Sequence, residues 1–463
     1  MESESTSWSR IPPEIVHEIA AQNADDVASL CAWALVSKAM RSLAIEHLFS
    51  SIHFACAEDF SEWQEMIHRT PRLSSIVKKV KFSDPDEDWL ELHRKVQYPT
   101  KLSEAGRPEI PTMPNVRTVE WEGEDVSDGP LINVGMAVAH IALFPNMKEL
   151  HLKNITFLYL AELTGLLGAC GKITVLTLSD VVVHLVDGDS EHSTEWVAFD
   201  PTALEELAIT HCNEYEDHDY LESFVQLIQT SAPARLRSLT FVGDTVNERN
   251  GPCSVPVMEQ LLRLASTSLV NLTVDPRFLE DSENEELIEM FGILPAFPAL
   301  TMLSISLCCD NSQAEQILNA LAAAPNLTTI IFRIMLINES EVQDHIDFKG
   351  ILATGFPSHQ SMQNFLTQKF PMIQRIGCYI YAGRESELHW RRGLRRRMER
   401  RLREHVGADV ESYLELKWLD PDHTPVAYSK ATGKAPWKFP SWRAEPDTET
   451  SDCEAEKWES ELS

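Results

Sequence analysis

The segment Pro145-Asn146-Met147-Lys148-Glu149-Leu150-His151-Leu152 contains the unit from which most of this chain is built. Its apolar residues Met147, Leu150 and Leu152 follow the order apolar-x-x-apolar-x-apolar. The last two alternate with polar residues, and a period of two is typical of a short β-strand that buries one face. We therefore expect a short strand at the end of this segment.

The same pattern returns along the chain at nearly constant spacing. Eight copies follow one another at intervals of 26 to 33 residues, several of them after a Pro-Asn or Pro-Ala pair. Eight matches at so even a spacing indicate an internal repeat. The copies are Val116/Val119/Trp121, Met147/Leu150/Leu152, Ile173/Leu176/Leu178, Leu204/Leu207/Ile209, Leu236/Leu239/Phe241, Leu269/Leu272/Val274, Leu300/Leu303/Ile305 and Leu327/Ile330/Phe332, with a weaker last copy at Ile373/Ile376/Cys378 and a candidate first copy at Val77/Val80/Phe82.

The segments between the copies have the spacing of helices. Apolar residues recur at steps of three and four over 219–231, 257–266 and 312–324, which predicts amphipathic helices. Ser282 with Glu285 and Ser312 with Glu315 match capping boxes at helix starts. One strand and one helix per repeat predict a right-handed coil whose parallel strands are neighbours, that is, an α/β solenoid.

This pattern resembles the leucine-rich repeats, in a long and irregular version. The resemblance implies a curved parallel sheet with helices on its convex side over residues 75–382. The family's Asn or Cys, three residues after the last apolar position, is present only at Cys212 and Cys308. An ordinary α/β domain with several strand–helix units is the alternative.

Near the N-terminus the sequence predicts a small helical module. The pair Pro12-Pro13 opens a short helix in which Ile15 and Ile19 lie four residues apart on one face. Further apolar residues from Leu30 to Leu43 continue at helical spacing. About forty residues cannot bury much surface alone, so these helices imply a partner or a following domain.

Residues 9–54 of this chain resemble the F-box, which docks onto the Skp-type adaptor of cullin–RING ubiquitin ligases. Ile11-Pro12 replaces the family's Leu-Pro, and Met40 stands where an aromatic residue is common. The positions that the resemblance assigns to adaptor binding are Pro12, Ile15, Ile19, Leu30, Val36 and Lys38.

The resemblance implies a non-catalytic substrate receptor, with the module bound to the adaptor, and through it to a cullin, while the solenoid binds a target protein. A non-catalytic interaction scaffold without a ligase role is one alternative, and a helical cap that shields the first repeat is another. Target contacts are expected on the concave strand face, at positions that flank the apolar residues. The candidates are Glu149, His151, Lys153, Glu206, Thr240, Asn271, Thr273, Arg333, Arg375 and Tyr379.

The composition narrows the class of protein. With 40 basic and 71 acidic residues the net charge is −31, which argues against nucleic-acid binding over the whole surface. No apolar run is long enough to span a membrane, and the polar N-terminus predicts no secretory signal. Nine cysteines without a Cys-x-x-Cys pair favour a reducing compartment, the cytoplasm or the nucleus. We find no catalytic, cofactor or metal-binding motif, so we expect no enzyme, no cofactor and no metal.

The last eighty residues differ from the repeats. Eight arginines between His389 and Arg403, with Trp390, Leu394, Met398 and Leu402 four apart, predict a basic helical cap over 383–419. This basic run has several interpretations: a solvated helix face partly neutralised by the acidic tail, a nuclear localisation element, or a contact for an acidic partner. RNA binding is a further one, but the run lacks the interleaved aromatic residues that such sites use. Residues 420–463 are acidic and are predicted to be disordered.

Overall fold

In the computed structural model, each copy of the sequence repeat forms one β-strand. Within each of the two units of the chain, neighbouring copies pair in parallel. The structure describes residues 12–23, 26–83, 112–123, 132, 134–185, 198–210, 219–230, 235–242, 255–275, 288–308, 318–321, 324–336, 368–382 and 414–419. The chain divides into two compact units. Unit 1 comprises Met1–Leu204 with Thr230–Ala232, and unit 2 comprises Glu205–Gln229 with Pro233–Ser463.

Three helices open unit 1: α1 (Pro13–Gln22), α2 (Val27–Val36) and α3 (Lys38–Leu48). The Asp26 side chain caps α2 by accepting from the Ser29 N–H at 2.9 Å. Ser37 ends α2 and caps α3, because its side chain accepts from the Met40 N–H at 3.2 Å. Each cap satisfies a backbone donor that the first helical turn leaves without a partner. The sequence predicts a second helical stretch here, and Ser37 divides it in two.

Five parallel strands follow in unit 1. They are β1 (Ser51–Phe54), β2 (Lys79–Ser83), β3 (Thr118–Glu122), β4 (Glu149–Tyr159) and β5 (Val175–Leu185), and they pair in chain order. Leu150 pairs with Val119 on one side and with Leu176 on the other. Equivalent apolar residues therefore stack across the sheet. Among the residues described between and after these strands, the helices are α4 (Ala57–Arg69), α5 (Val134–Ile141) and α6 (Leu160–Ala169).

Unit 2 repeats the same arrangement. Its strands β6 to β12 are Glu206–Thr210, Ser238–Val242, Asn271–Asp275, Met302–Cys308, Thr329–Leu336, Arg375–Ala382 and Leu414–Leu419. Each described pairing joins consecutive strands in parallel. Helices α7 (Asp219–Thr230) and α8 (Val255–Ala265) lie where the helical spacing predicts them. The predicted α/β class, with one parallel strand per repeat, is confirmed.

Two strands lie beyond the predicted repeats. Strand β1 lies inside the segment assigned to the helical module and carries a further copy of the repeat, since Phe49, Ile52 and Phe54 fit the same pattern. Strand β12 occupies 414–419, at the end of the segment for which a basic helix is predicted. The remainder of that segment, the acidic 420–463, Cys212 and both predicted capping boxes lie outside the described residues.

The Pro-Asn pair before several strands links one repeat to the next. The Asn146 side-chain amide donates to the Pro114 carbonyl at 2.9 Å, and the Asn326 amide donates to the Pro298 carbonyl at 2.7 Å. Each bond joins equivalent turns of consecutive repeats. The recurrence of Asn at this position therefore has a structural cause, because its amide satisfies a carbonyl of the preceding turn.

The core beneath the first strands of unit 1 is aromatic. Phe82 is 2% exposed and stacks on Trp121 with ring centroids 5.2 Å apart. Phe60 meets Phe54 edge to face at 5.1 Å, and His140 packs 5.0 Å from the Phe82 ring. Edge-to-face and stacked pairs add to the hydrophobic contribution, so α4 and α5 are held firmly against β1 to β3.

Strands β4 and β5 are longer than the sequence predicts. Each has 11 residues, and each contains one residue of positive φ, Asn154 at 52° and Asp180 at 51°. The register pairs Lys153 with Ser179 and Ile155 with Val181, so the two bends coincide. Asn and Asp tolerate the left-handed region better than most residues, which allows both strands to continue past the bend.

Candidate partner-docking site on the helical module

Helix α2 exposes an apolar face. Ser29 is the only polar residue in its sequence, Val-Ala-Ser-Leu-Cys-Ala-Trp-Ala-Leu-Val. Leu35 is 81% exposed, Val36 is 63% exposed and Val27 is 58% exposed. A helix that is apolar all round is normally buried on every side. The exposed side of α2 therefore has the apolar composition that is typical of a buried surface.

The opposite side of α2 faces the module's own core. Leu30 is fully buried, and Trp33 and Ala34 are half-buried. Residues at steps of three and four share one side of a helix, so these positions attach α2 to its neighbours. The exposed residues lie on the other side. We call them the α2 face: Val27, Ala28, Cys31, Ala32, Leu35 and Val36.

The structure places the predicted adaptor-binding residues in different environments. Pro12, Val36 and Lys38 are exposed. Ile15 on α1 is 50% exposed, and Ile19 is half-buried. Both isoleucines therefore keep apolar surface for a partner.

The assignment of Leu30 to adaptor binding is wrong, because Leu30 is fully buried. Its side chain packs inside the module and offers no surface to an adaptor. The sequence interpretation also missed Val27, Cys31 and Leu35. The signal was present, since a ten-residue helix with a single polar residue cannot bury all of its sides within so small a module.

The ends of the α2 face carry opposite charges. At the N-terminal end, hydrogen bonds from the Ser29 side chain and backbone hold the pKa of Asp26 below its usual range. At the C-terminal end, Lys38 and Arg41 are exposed, and the Arg41 Nε donates to the Ala34 carbonyl at 2.9 Å. Each charge has the sign that the adjacent end of the helix dipole favours.

The predicted target-binding residues of unit 1, Glu149, His151 and Lys153, all lie on β4 and contact side chains of the neighbouring strands β3 and β5. The Thr118 hydroxyl donates to Glu149 at 2.8 Å, and His151 Nδ1 shares a hydrogen bond of 2.9 Å with the Thr177 hydroxyl. Burial lowers the pKa of His151, and the nearby carboxylates of Glu120 and Glu149 offset this only in part. His151 is therefore held neutral within the sheet surface.

A chain of five charges crosses the same face of β2, β3 and β4. We call it the ion-pair chain, and it runs Lys79–Glu120–Lys81–Glu122–Lys153. Lys79 Nζ lies 2.6 Å from Glu120, and Lys81 Nζ lies 3.7 Å from it. Burial raises the pKa of Glu120, but the two lysines outweigh it and hold that pKa below its usual value. Each of the three lysines is thus already paired with a glutamate of β3.

In unit 2 the predicted target-binding face is largely closed. Thr240 is 2% exposed and Thr273 is 6% exposed, so neither can contact a target without a rearrangement, which corrects their assignment. Their neighbour Ser304 is 1% exposed. Glu206, Asn271 and Arg375 are half-buried. Arg333 and Tyr379 lie on β10 and β11, and their side chains are outside the described residues.

The described part of the chain contains neither a metal-binding cluster nor a membrane-spanning helix. No group of three or more His, Cys, Asp or Glu side chains in that part could hold a metal ion. None of the helices described has both the length and the apolar character that crossing a membrane requires.

No protein-family model matches this chain, and the comparison with curated proteins gave no match. Among the solved structures that match is one described as the crystal structure of the Rad7 and Elc1 complex in yeast. The match covers 81% of this chain and 94% of that chain, at 11% sequence identity and a TM-score of 0.30. A match with so low an identity and TM-score does not indicate a fold, a partner or a function for this chain.

Proposed function

We propose that residues 12–48 are a docking module for a Skp-type adaptor of a cullin–RING ubiquitin ligase, and that the repeats hold a target protein. The chain would then be a non-catalytic substrate receptor that works in the cytoplasm or the nucleus. The observation that carries the proposal is the exposed α2 face. The identity of the adaptor comes from the resemblance of residues 9–54 to the F-box.

The energetics favour a protein partner for this face. Complete burial of a Val or Leu side chain contributes about 1.5–3 kcal/mol. Val27, Leu35 and Val36 keep more than half of their surface exposed, so covering the three would contribute about 3–6 kcal/mol. A micromolar complex requires about 8 kcal/mol. Because association itself costs several kcal/mol, the α2 face would contribute only part of the burial that such a complex needs, and Ile15 on α1 would add to it.

The exposed side of α2 also argues against the alternative in which the module is only a helical cap for the first repeat. A cap that shields the first repeat would turn its apolar side toward that repeat. Only one side of α2, that of Leu30, faces inward. The side with Leu35 remains available, which supports docking.

Co-elution on size-exclusion chromatography with a purified Skp-type adaptor tests the proposal. We expect the full chain to co-elute and the variant Leu35→Asp to lose the complex, because a carboxylate would enter an apolar contact. Ser42→Asp on α3 is the matched control, since Ser42 is also exposed but lies outside the α2 face. If both variants still co-elute, the α2 face is not the contact. If the unmodified chain fails to co-elute, the scaffold without a ligase role is favoured.

Cys31 offers a second readout on the same face. It is an exposed free cysteine located between Val27 and Leu35 on α2. We expect the adaptor to slow the alkylation of Cys31 by a maleimide, as followed by peptide mass spectrometry. Cys56, which lies outside the α2 face, is the internal reference. Equal rates at Cys31 with and without bound adaptor would contradict the proposed contact.

A further inference from the structure

Three cations form a row across the unit 1 sheet, at the N-terminal ends of neighbouring strands. Lys78, Arg117 and Lys148 each come immediately before a strand, β2, β3 and β4 respectively, and all three are exposed. We call them the basic row. The Arg117 N–H donates to the Lys78 carbonyl at 2.8 Å, and the Lys148 N–H donates to the Arg117 carbonyl at 2.8 Å. Adjacent strands are about 4.8 Å apart, so the row extends over about 10 Å.

The described part of the chain does not neutralise the basic row. Among the described residues, no carboxylate forms an ion pair with Lys78, Arg117 or Lys148. The lysines of the ion-pair chain, on β2 and β4, are all paired with glutamates of β3. Like charges on neighbouring strands repel each other and are destabilising. An anion lying along the row would remove this repulsion and form charge-assisted hydrogen bonds.

The backbone beneath the row is held in place. The Thr174 N–H donates to the Lys148 carbonyl at 2.7 Å, which continues the ladder to the next strand. Arg117 Nη1 donates to the Asn146 carbonyl at 2.7 Å, and the Asn146 amide donates in turn to the Pro114 carbonyl. A surface that is ordered before binding loses less entropy when a ligand arrives.

We infer that the basic row binds a short acidic segment of the target protein. This inference rests on the proposed function, in which the repeats hold the target. An extended peptide rises about 3.3 Å per residue, so acidic residues three apart would match the two ends of the row. A long nucleic acid is disfavoured, because the chain's net charge of −31 opposes a large polyanion. A short acidic peptide is affected mainly by the local positive potential of the basic row.

Fluorescence anisotropy with a labelled hexaglutamate peptide tests the inference on the full chain. We expect binding at about 50 mM salt that weakens at about 200 mM, and no binding of a hexaglutamine peptide. The variant Lys78→Ser/Arg117→Ser/Lys148→Ser should lose at least about tenfold in affinity, the equivalent of 1.4 kcal/mol. These side chains are exposed, so the fold should tolerate the change.

The control variant Arg235→Ser/Arg237→Ser/Arg263→Ser removes the same charge from unit 2. Arg237 occupies the position of Arg117 in its repeat, but its neighbours on the adjacent strands are Glu205 and Val270. This variant should bind hexaglutamate within about twofold of the unmodified chain. Equal losses in both variants would show that only total charge matters and would overturn the inference. Absence of binding to the unmodified chain would overturn it too.

Adaptor co-elution separates this inference from the proposed function. The basic-row variant should still co-elute with the adaptor, because its changes lie outside α1–α3. Peptide binding without adaptor binding would remove the ligase role and leave the basic row as a peptide site. Adaptor binding without peptide binding would remove the basic row alone.

Discussion

Two leucines on α2, five residues apart, should respond in opposite ways to the same truncation. Leu35 is 81% exposed and Leu30 is fully buried. Leu and Ala are both strong helix formers, so Leu→Ala changes little in the helix itself at either position. What differs is whether the removed atoms contact the module's own core or the solvent.

For Leu30→Ala we expect a loss of about 2–5 kcal/mol in the free energy of unfolding, because the substitution leaves a cavity. For Leu35→Ala we expect a change within about 0.5 kcal/mol, as for other surface substitutions. Its effect should appear in binding. Covering the exposed part of Leu35 contributes about 1–2 kcal/mol, so the Kd for the adaptor should rise about 5- to 30-fold.

Urea denaturation of the free chain and calorimetric titration with the adaptor measure the two effects separately. Refutation would come from Leu35→Ala lowering the free energy of unfolding as much as Leu30→Ala does, since Leu35 would then be packed inside the chain. An unchanged Kd for Leu35→Ala would equally refute the proposed contact. Ser42→Ala, on an exposed position of α3, should alter neither quantity.

Three further predictions concern the repeats. Phe82→Ala should reduce the free energy of unfolding by about 3–5 kcal/mol in urea denaturation, because Phe82 is buried against Trp121; a loss below 1 kcal/mol would contradict the packing. Thr240→Asp should cost several kcal/mol by placing an unpaired charge at a buried site, whereas an open strand face would tolerate it in the same assay. Thermal unfolding should show stability falling below pH 6.5, the ordinary pKa of His151, and again below pH 4.5, that of Glu120. Both pKa values are lowered in the folded state, so the unfolded chain binds more protons and acid favours unfolding; a Tm that is flat from pH 7 to 4 would contradict the assignment.

The strands were predictable because their signal is local. Leu207, Leu239 and Leu272 occupy the same place in successive copies and pair across the sheet. A residue that alternates with polar neighbours and recurs at constant spacing has few ways to be buried other than in stacked parallel strands. Strand β1 follows the same pattern and was overlooked because its first apolar residue, Phe49, adjoins the end of α3.

Exposure was harder to predict because it depends on what lies opposite each residue. Thr240 and His151 occupy the same place in their repeats, yet Thr240 is almost fully buried while His151 is half-buried and bonded to Thr177. The pattern within a repeat assigns both to the same face. It contains no information about which other segments pack over that face.

The amino-acid order by itself determined that the chain is built from stacked strand repeats preceded by a short helical module, because periodic burial and helix capping act over a few residues. Only the tertiary structure decided which leucine of α2 faces inward. It also decided which lysines form ion pairs with glutamates on the next strand, and which cations form a row without such pairs in the part of the chain that the structure describes. Those outcomes depend on contacts between residues that are distant in sequence. Both the α2 face and the basic row are consequences of such contacts.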